Sequence, residues 1–306
     1  MSVVATPAPP AAPAAAAAAP RREIIASFAR SRLALAALLV LCAIILAAVF
    51  AGVISPQNPY NLAELDILDA KLPPGGKSDD GKTYWLGTDE QGRDMLSGIL
   101  YGLRISLGVG VVSTLLALTI GMAIGLFAGY AGGWIDAAIM RIVDLQLSFP
   151  SILIALVLLA VLGQGVDKIV IALVTVQWAY YARTVRSAAL VEKRKEYVDA
   201  AVCLAYRPWR IIYRHILPNC LPPLIVVATV QVAHAIALEA TLSFLGLGMP
   251  ITSPSLGLLI SNGYTHLLSG RYWMSFFPGV ALLVTIVAIN LVGDHLRDVL
   301  NPRLQT

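Results

Sequence analysis

Long apolar runs, separated by short charged stretches, dominate this chain. Residues 33–54 give 22 consecutive positions without a charged side chain, residues 105–135 give 31, residues 169–182 give 14 and residues 272–293 give 22. A helix needs about 20 apolar residues to cross a bilayer. Two further candidates complete the set. One starts near Asp136 and runs through residues 145–162, and the other covers residues 221–245. The run at 169–182 is short, but it spans if Lys168 and Arg183 extend their heads to opposite interfaces. The pattern therefore predicts an all-α, polytopic membrane protein with six transmembrane helices.

The loops between these runs set the orientation, because cytoplasmic loops are enriched in Lys and Arg. Four arginines and one glutamate precede or open the first run. Residues 55–98 hold 8 acids and 4 bases, whereas residues 183–214 hold 8 bases and 3 acids. Residues 246–271 hold a single base. Basic and non-basic loops alternate as six spans with both termini in the cytoplasm require. Residues 55–98 then lie outside and residues 183–214 inside.

Composition agrees with this reading. The chain of 306 residues is 58% apolar and 13% charged, about half the charge of a soluble domain. Its net charge of +4 is not gathered into an aromatic-laced basic stripe, so no nucleic-acid partner is expected. Cys42, Cys203 and Cys220 have no metal-ligand spacing, and they read as inert thiols. No metal and no cofactor are expected. Ten alanines and five prolines fill most of residues 1–20, a composition expected to stay disordered. The apolar run after Arg30 and Arg32 exceeds the roughly 7–15 residues of a signal-peptide core, so it reads as a retained span. The expected organisation is a disordered cytoplasmic tail and amphipathic lead-in at 1–29, a first span with outer loop at 30–98, and a core at 99–306 carrying a cytoplasmic loop at 183–218.

Three local patterns carry more detail. Gly121, Gly125 and Gly129 share one helical face and predict a close helix–helix approach. Residues 246–270 are apolar but broken by Pro250, Pro254, Gly257 and Gly263, which predicts an outer connection with one short helix. Residues 196–219 predict a bent pair of short helices. Tyr197, Ala200, Ala201 and Leu204 stand at i, i+3, i+4 and i+7 on one face, with Glu196 and Asp199 in the first turn, where negative charge suits the helix dipole. Pro208 starts a second helix expected to end at Pro218. Spacing alone fits both a knuckle that docks a partner and an ordinary amphipathic loop at the lipid headgroups.

This knuckle resembles the coupling loop of ABC importer permeases, whose pattern is Glu-Ala-Ala, three residues, Gly, nine residues, Ile, one residue, Leu-Pro. Asp199, Ala200 and Ala201 match with Asp for Glu, and Leu217 and Pro218 match. Ala205 stands where Gly is usual and His215 where Ile is usual. More of the chain is similar to the C-type subunit of the dipeptide/oligopeptide permeases: Trp85-Leu86-Gly87-Thr88-Asp89, Gly92-Arg93-Asp94, Arg104-Ile105-Ser106-Leu107, Leu238-Glu239-Ala240 and Leu242 to Gly248, and Asn290-Leu291 with Gly293-Asp294. The resemblance covers residues 24–304. It implies a permease subunit in the inner membrane that forms half of a pathway for peptides with a second homologous permease. It implies two ATPase subunits beneath, and an extracytoplasmic binding protein that delivers the solute. It also implies that Glu196, Tyr197, Asp199, Ala200, Ala201, Leu204, Ala205, Tyr206 and Arg207 couple the chain to an ATPase. Nickel, glutathione, haem and opine importers share the architecture.

The remaining candidates are weaker. Gly76-Lys77-Ser78 mimics the end of a phosphate-binding loop, but Lys71 stands where that motif needs its first glycine. Nothing catalytic is expected. Asp136, Arg141 and Asp144 read as a mutually paired set near the cytoplasmic interface. His234 and Glu239 fall within the fifth span, where they line the pathway or bond a neighbouring subunit. The block at 85–94 is either a contact for the binding protein and outer gate or the turn that starts the second span. An ATP-independent secondary transporter would show inverted repeats, and a membrane-embedded enzyme would show converging catalytic groups. Neither pattern is present.

Overall fold

The computed structural model describes residues 31–61 and 65–300. The expected tail at 1–29 lies outside the described residues. Helix α1, Arg32–Val49, starts at Ser31, whose hydroxyl accepts the Ala34 N–H at 3.3 Å. A long loop follows, with a small antiparallel hairpin of β1, Gly76–Lys77, and β2, Thr83–Tyr84. Six helices come next: α2 Met95–Ala131, α3 Gly133–Ser148, α4 Ser151–Leu162, α5 Val166–Glu192, α6 Glu196–Cys203 and α7 Pro208–Phe244. The short α8, Leu256–Tyr264, and the long α9, Trp273–Leu300, complete the fold. Gly76-Lys77-Ser78 lies in the hairpin rather than before a helix, which removes any phosphate-loop geometry.

Helices α1, α2, α7 and α9 are each long and apolar enough to cross a membrane, and α3 with α4 makes a fifth if the bent pair is one span. Six spans are compatible with this once α5 is added. Its 27 residues measure about 40 Å, although Arg183, Arg186 and Glu192 keep its C-terminal half polar. The third expected span is broken. Pro150 disfavours helical backbone at the residue before it, and Phe149 is extended at φ −91° and ψ 142°. The two halves meet at 88°.

Glycine governs the central packing. A Cβ on Gly121 would lie 2.4 Å from the Trp178 carbonyl oxygen, and one on Gly125 would lie 2.4 Å from that of Ala182. Gly129 continues the same track toward Arg186 and Ala189. The two helices thus run side by side at backbone contact, as the glycine spacing predicts. The acids of α3 do not pair with Arg141. Asp136 accepts the Arg186 Nε–H at 3.0 Å and Asp144 pairs with Arg183, so both ion pairs bind α3 to α5. An acid on α3 finds its base on the adjacent helix because the interface, not the helix surface, sets the geometry.

The block at 85–94 is a structural knot. Asp89 accepts the Arg93 N–H at 2.9 Å and Nε–H at 2.8 Å, with both side chains buried. Asp94 caps α2 by accepting the Ser97 N–H at 2.8 Å. The Trp273 indole donates to the Thr88 carbonyl oxygen at 3.2 Å, tying the block to α9. The block thus leads directly into α2, and the Arg93 Nη1 also donates to the Ile251 carbonyl oxygen at 3.3 Å.

Two substitutions test this packing by thermal unfolding in detergent. Gly125→Leu is expected to destabilise by about 1–3 kcal/mol or more. Gly108→Leu, on the same helix but with open space at its Cβ, is expected to change little. Asp89→Ala strands a buried guanidinium and is expected to cost about 3–5 kcal/mol, visible as loss of monodisperse protein.

Candidate functional site

The knuckle is built from the end of α5, the whole of α6 and the start of α7. Lys195 is extended at φ −89° and ψ 145° and opens α6. Glu196 and Asp199 place two carboxylates in its first turn, and two alanines favour the helix behind them. The helix ends in a Schellman turn. The Tyr206 N–H reaches the Ala201 carbonyl at 3.2 Å and the Ala205 N–H reaches that of Val202 at 2.9 Å. The turn needs a left-handed residue, and Ala205 supplies it at φ +53°. This is the position where the importer pattern has Gly.

One face of α6 anchors it. Val198 and Ala201 are 2% and 3% exposed, and they pack with Val185 and Ala189 of α5 and with Ile211 and Ile216 of α7. The expected face of Tyr197, Ala200, Ala201 and Leu204 is therefore split. Ala201 turns inward onto the chain itself, whereas Tyr197, Ala200 and Leu204 remain exposed, Leu204 at 66%. Glu196, Asp199, Val202 and Cys203 share the open side. An eight-residue helix offers two plausible stripes, and the buried one was set by residues elsewhere in the chain.

Around this foot lies a set of polar and aromatic contacts. The Tyr206 ring stacks on His215 with centroids 6.1 Å apart, and the Arg210 guanidinium lies 4.5 Å over the same ring. Arg207 is the extended residue before Pro208. The Lys193 ammonium donates to the Tyr130 carbonyl oxygen at 2.6 Å, joining the ends of α5 and α2. The Tyr197 hydroxyl donates to Glu192 and accepts from the Asn219 amide at 3.1 Å. Burial first, and then the Glu192 carboxylate, hold this hydroxyl above the ordinary phenol range. It stays a donor at physiological pH. Glu192 and Asn219 were missed by sequence reasoning. A buried acid at the end of a basic helix was the available signal for Glu192, and nothing marked Asn219 as its bridge partner.

The second expected helix does not stop at Pro218. A π turn at Ile212–Ile216 precedes a regular stretch, Leu217–Phe244, and Pro218 falls in the first turn of that stretch. The Leu217 N–H bonds the Ile212 carbonyl, one residue further back than in a regular α-helix, and this wider turn carries the helix past Pro218. Helix α7 thus runs unbroken from the knuckle into the bundle. Within it, His234 and Glu239 diverge. His234 lies on the exposed side of α7. Glu239 is 0% exposed. Its carboxyl accepts the Ser106 hydroxyl of α2 at 2.7 Å and the Ser243 hydroxyl at 2.8 Å. The surface it reaches is therefore the interior of this chain.

Residues 121–306 match the family described as the inner membrane component of binding-protein-dependent transport systems. The chain belongs to that family. Residues 19–74 also match the N-terminal transmembrane domain of oligopeptide transport permease C. The permease is 36% identical over 287 residues to the glutathione transport system permease protein GsiD of Pectobacterium atrosepticum, covering 94% of this chain and 92% of that protein. It is 37% identical over 276 residues to the dipeptide transport system permease protein DppC of Bacillus subtilis, covering 90% and 83%. It is 36% identical over 299 residues to the di/tripeptide transport system permease protein DppC of Pseudomonas aeruginosa, covering 97% of each. An inward-facing structure of the MetNI methionine ABC transporter has a chain of the same fold, with a TM-score of 0.56 at 20% identity. The match covers 68% of the permease and 98% of that chain. The permease is thus a multi-pass transport subunit of the inner membrane with the ABC importer permease fold.

The left-handed alanine gives a direct test of the knuckle. Ala205→Gly removes a clash costing about 1–2 kcal/mol and returns part of it as backbone entropy. The permease is expected to gain about 0.5–1 kcal/mol in detergent unfolding by that change. Ala205→Val, β-branched at the same φ, is expected to lose stability.

Proposed function

We propose that the permease is one of two homologous transmembrane subunits of an ABC importer for peptides. Both termini face the cytoplasm, and α6 is the helix gripped by one of two ATPase subunits. A binding protein on the other side of the membrane supplies the solute, and ATP is hydrolysed by the ATPase subunits. The observation that carries the peptide assignment is the similarity to the DppC relatives over nine-tenths or more of the chain. The geometry of α6 supports the coupling role. Val198 and Ala201 anchor it from inside while Glu196, Asp199, Ala200, Val202 and Leu204 are left open. Arg207 and Arg210 border that open side. A helix so held stays seated between the two long helices that enter the bundle. The basic character of residues 183–214 supports a cytoplasmic position for it.

Glutathione import is the second reading, favoured by the GsiD relative at 36% identity. Glutathione is itself a small peptide with an unusual linkage, so the two readings differ in the solute rather than the machine. His234, exposed on α7, is the residue of the fifth span left available to a pathway or to the second permease.

Reconstitution of the full complex in lipid vesicles separates the readings. ATPase activity is expected to rise with binding protein loaded with dipeptide. A rise with glutathione alone would replace the peptide assignment. In the same complex Leu204→Glu is expected to weaken ATPase copurification about ten-fold or more, the worth of one buried anchor. Retention of the ATPases by that variant would contradict the docking role of the open face.

A further inference from the structure

A motor that pushes α6 moves the bundle only if α6 is fixed to the helices on either side. The apolar foot of Val198 and Ala201 resists separation but not sliding, because hydrophobic contact is non-directional. Hydrogen bonds supply direction, and one oxygen atom holds the relevant ones. Glu192 is the last residue of α5, and its carboxyl is almost fully buried. One carboxyl oxygen accepts the Lys195 ammonium at 2.7 Å and the other accepts the Tyr197 hydroxyl. Asn219 lies in α7 just beyond the π turn. Its amide nitrogen carries two protons, and it donates to the Tyr197 hydroxyl oxygen at 3.1 Å and to the His215 carbonyl oxygen at 2.7 Å. The Tyr197 ring belongs to α6. Its hydroxyl therefore donates into α5 and accepts from α7, and both bonding capacities of that oxygen are directed to the helices that leave for the membrane.

We propose that the Tyr197 hydroxyl is the joint that transmits displacement of α6 to α5 and α7 together. Tyr197 is thus a positioning residue, and the ATPase is met by its neighbours. The inference rests on the coupling reading given above. The π turn fits the same role. It rotates the start of α7 so that Asn219 faces α6 while Ile211 and Ile216 still face the apolar foot. Without the joint, α6 stays attached by Val198 and Ala201, but it can rotate about that foot, so motor movement is spent on slippage.

The test uses the complete complex in vesicles and reads solute transported per ATP hydrolysed. Tyr197→Phe removes one hydroxyl and keeps the ring. Its transport-to-hydrolysis ratio is expected to fall about five- to ten-fold, the worth of one ordinary hydrogen bond. Asn219→Leu breaks the joint from the α7 side without altering α6. It is expected to copurify its ATPases in normal yield and to show the same fall in ratio. The double variant is expected to be no worse than either single change, because the two act through one atom. Glu192→Gln still accepts the hydroxyl and is expected to keep most of the ratio, whereas Glu192→Leu loses it. If Tyr197→Phe does not assemble, Asn219→Leu decides alone. A ratio within two-fold of the parent in Asn219→Leu, or additive losses in the double variant, overturns the joint. Failure of the unaltered permease to copurify any ATPase overturns the coupling reading itself, and the joint with it.

Discussion

The fold depends on one constraint: α2 and α5 lie at backbone contact along the track of Gly121, Gly125 and Gly129. In a membrane, association cannot draw on the expulsion of water from apolar side chains, since lipid is as apolar as leucine. Close van der Waals approach has to supply the attraction, and only small residues allow it. The track runs past the apolar zone toward the knuckle. There the same two helices are joined again by Lys193 on the Tyr130 carbonyl oxygen, and α3 is added by two ion pairs to Arg183 and Arg186. The end of α5 is consequently a fixed platform rather than a frayed terminus.

Everything that suits the knuckle for its proposed task stands on that platform. Val185 and Ala189 of α5 form the floor for Val198 and Ala201. Glu192 closes the platform and orients Tyr197, and the π turn lets α7 leave without a break at Pro218. At the opposite end of the bundle the knot of Asp89, Arg93 and Asp94 and the serine cluster around Glu239 fix the far ends of α2, α7 and α9. Rigid ends joined by long helices are what a lever needs.

Much of this was legible in the chain itself, and the reasons differ by residue. Charge-free runs mark spans because the bilayer penalises charge wherever it falls. The glycine track shows because four-residue spacing and one helical face are the same statement. The Phe149–Pro150 break was not read, because apolar residues on both sides of the proline conceal an 88° bend. The inward turn of Ala201 was not legible, since its partners Val185 and Ile211 lie on other helices and a short helix has no dominant stripe. Glu239 was singled out as an acid within an apolar run. Its surroundings were not legible, because Ser106 lies 133 positions away. The π turn has no compositional signature at all. Local periodicity reports on a helix and its solvent, whereas these features belong to pairs of helices.

The central claim is that α6 sits in the cytosol and is covered by a motor. Cys203 lies exposed on that helix, so it serves as a reporter once Cys42 and Cys220 are replaced by serine. Labelling with a membrane-impermeant maleimide is the direct measurement. Modification is expected only after the membrane is opened to the cytoplasmic side, and it should fall when the ATPase subunits are present. Rapid modification of Cys203 from the outside of intact cells would contradict the account.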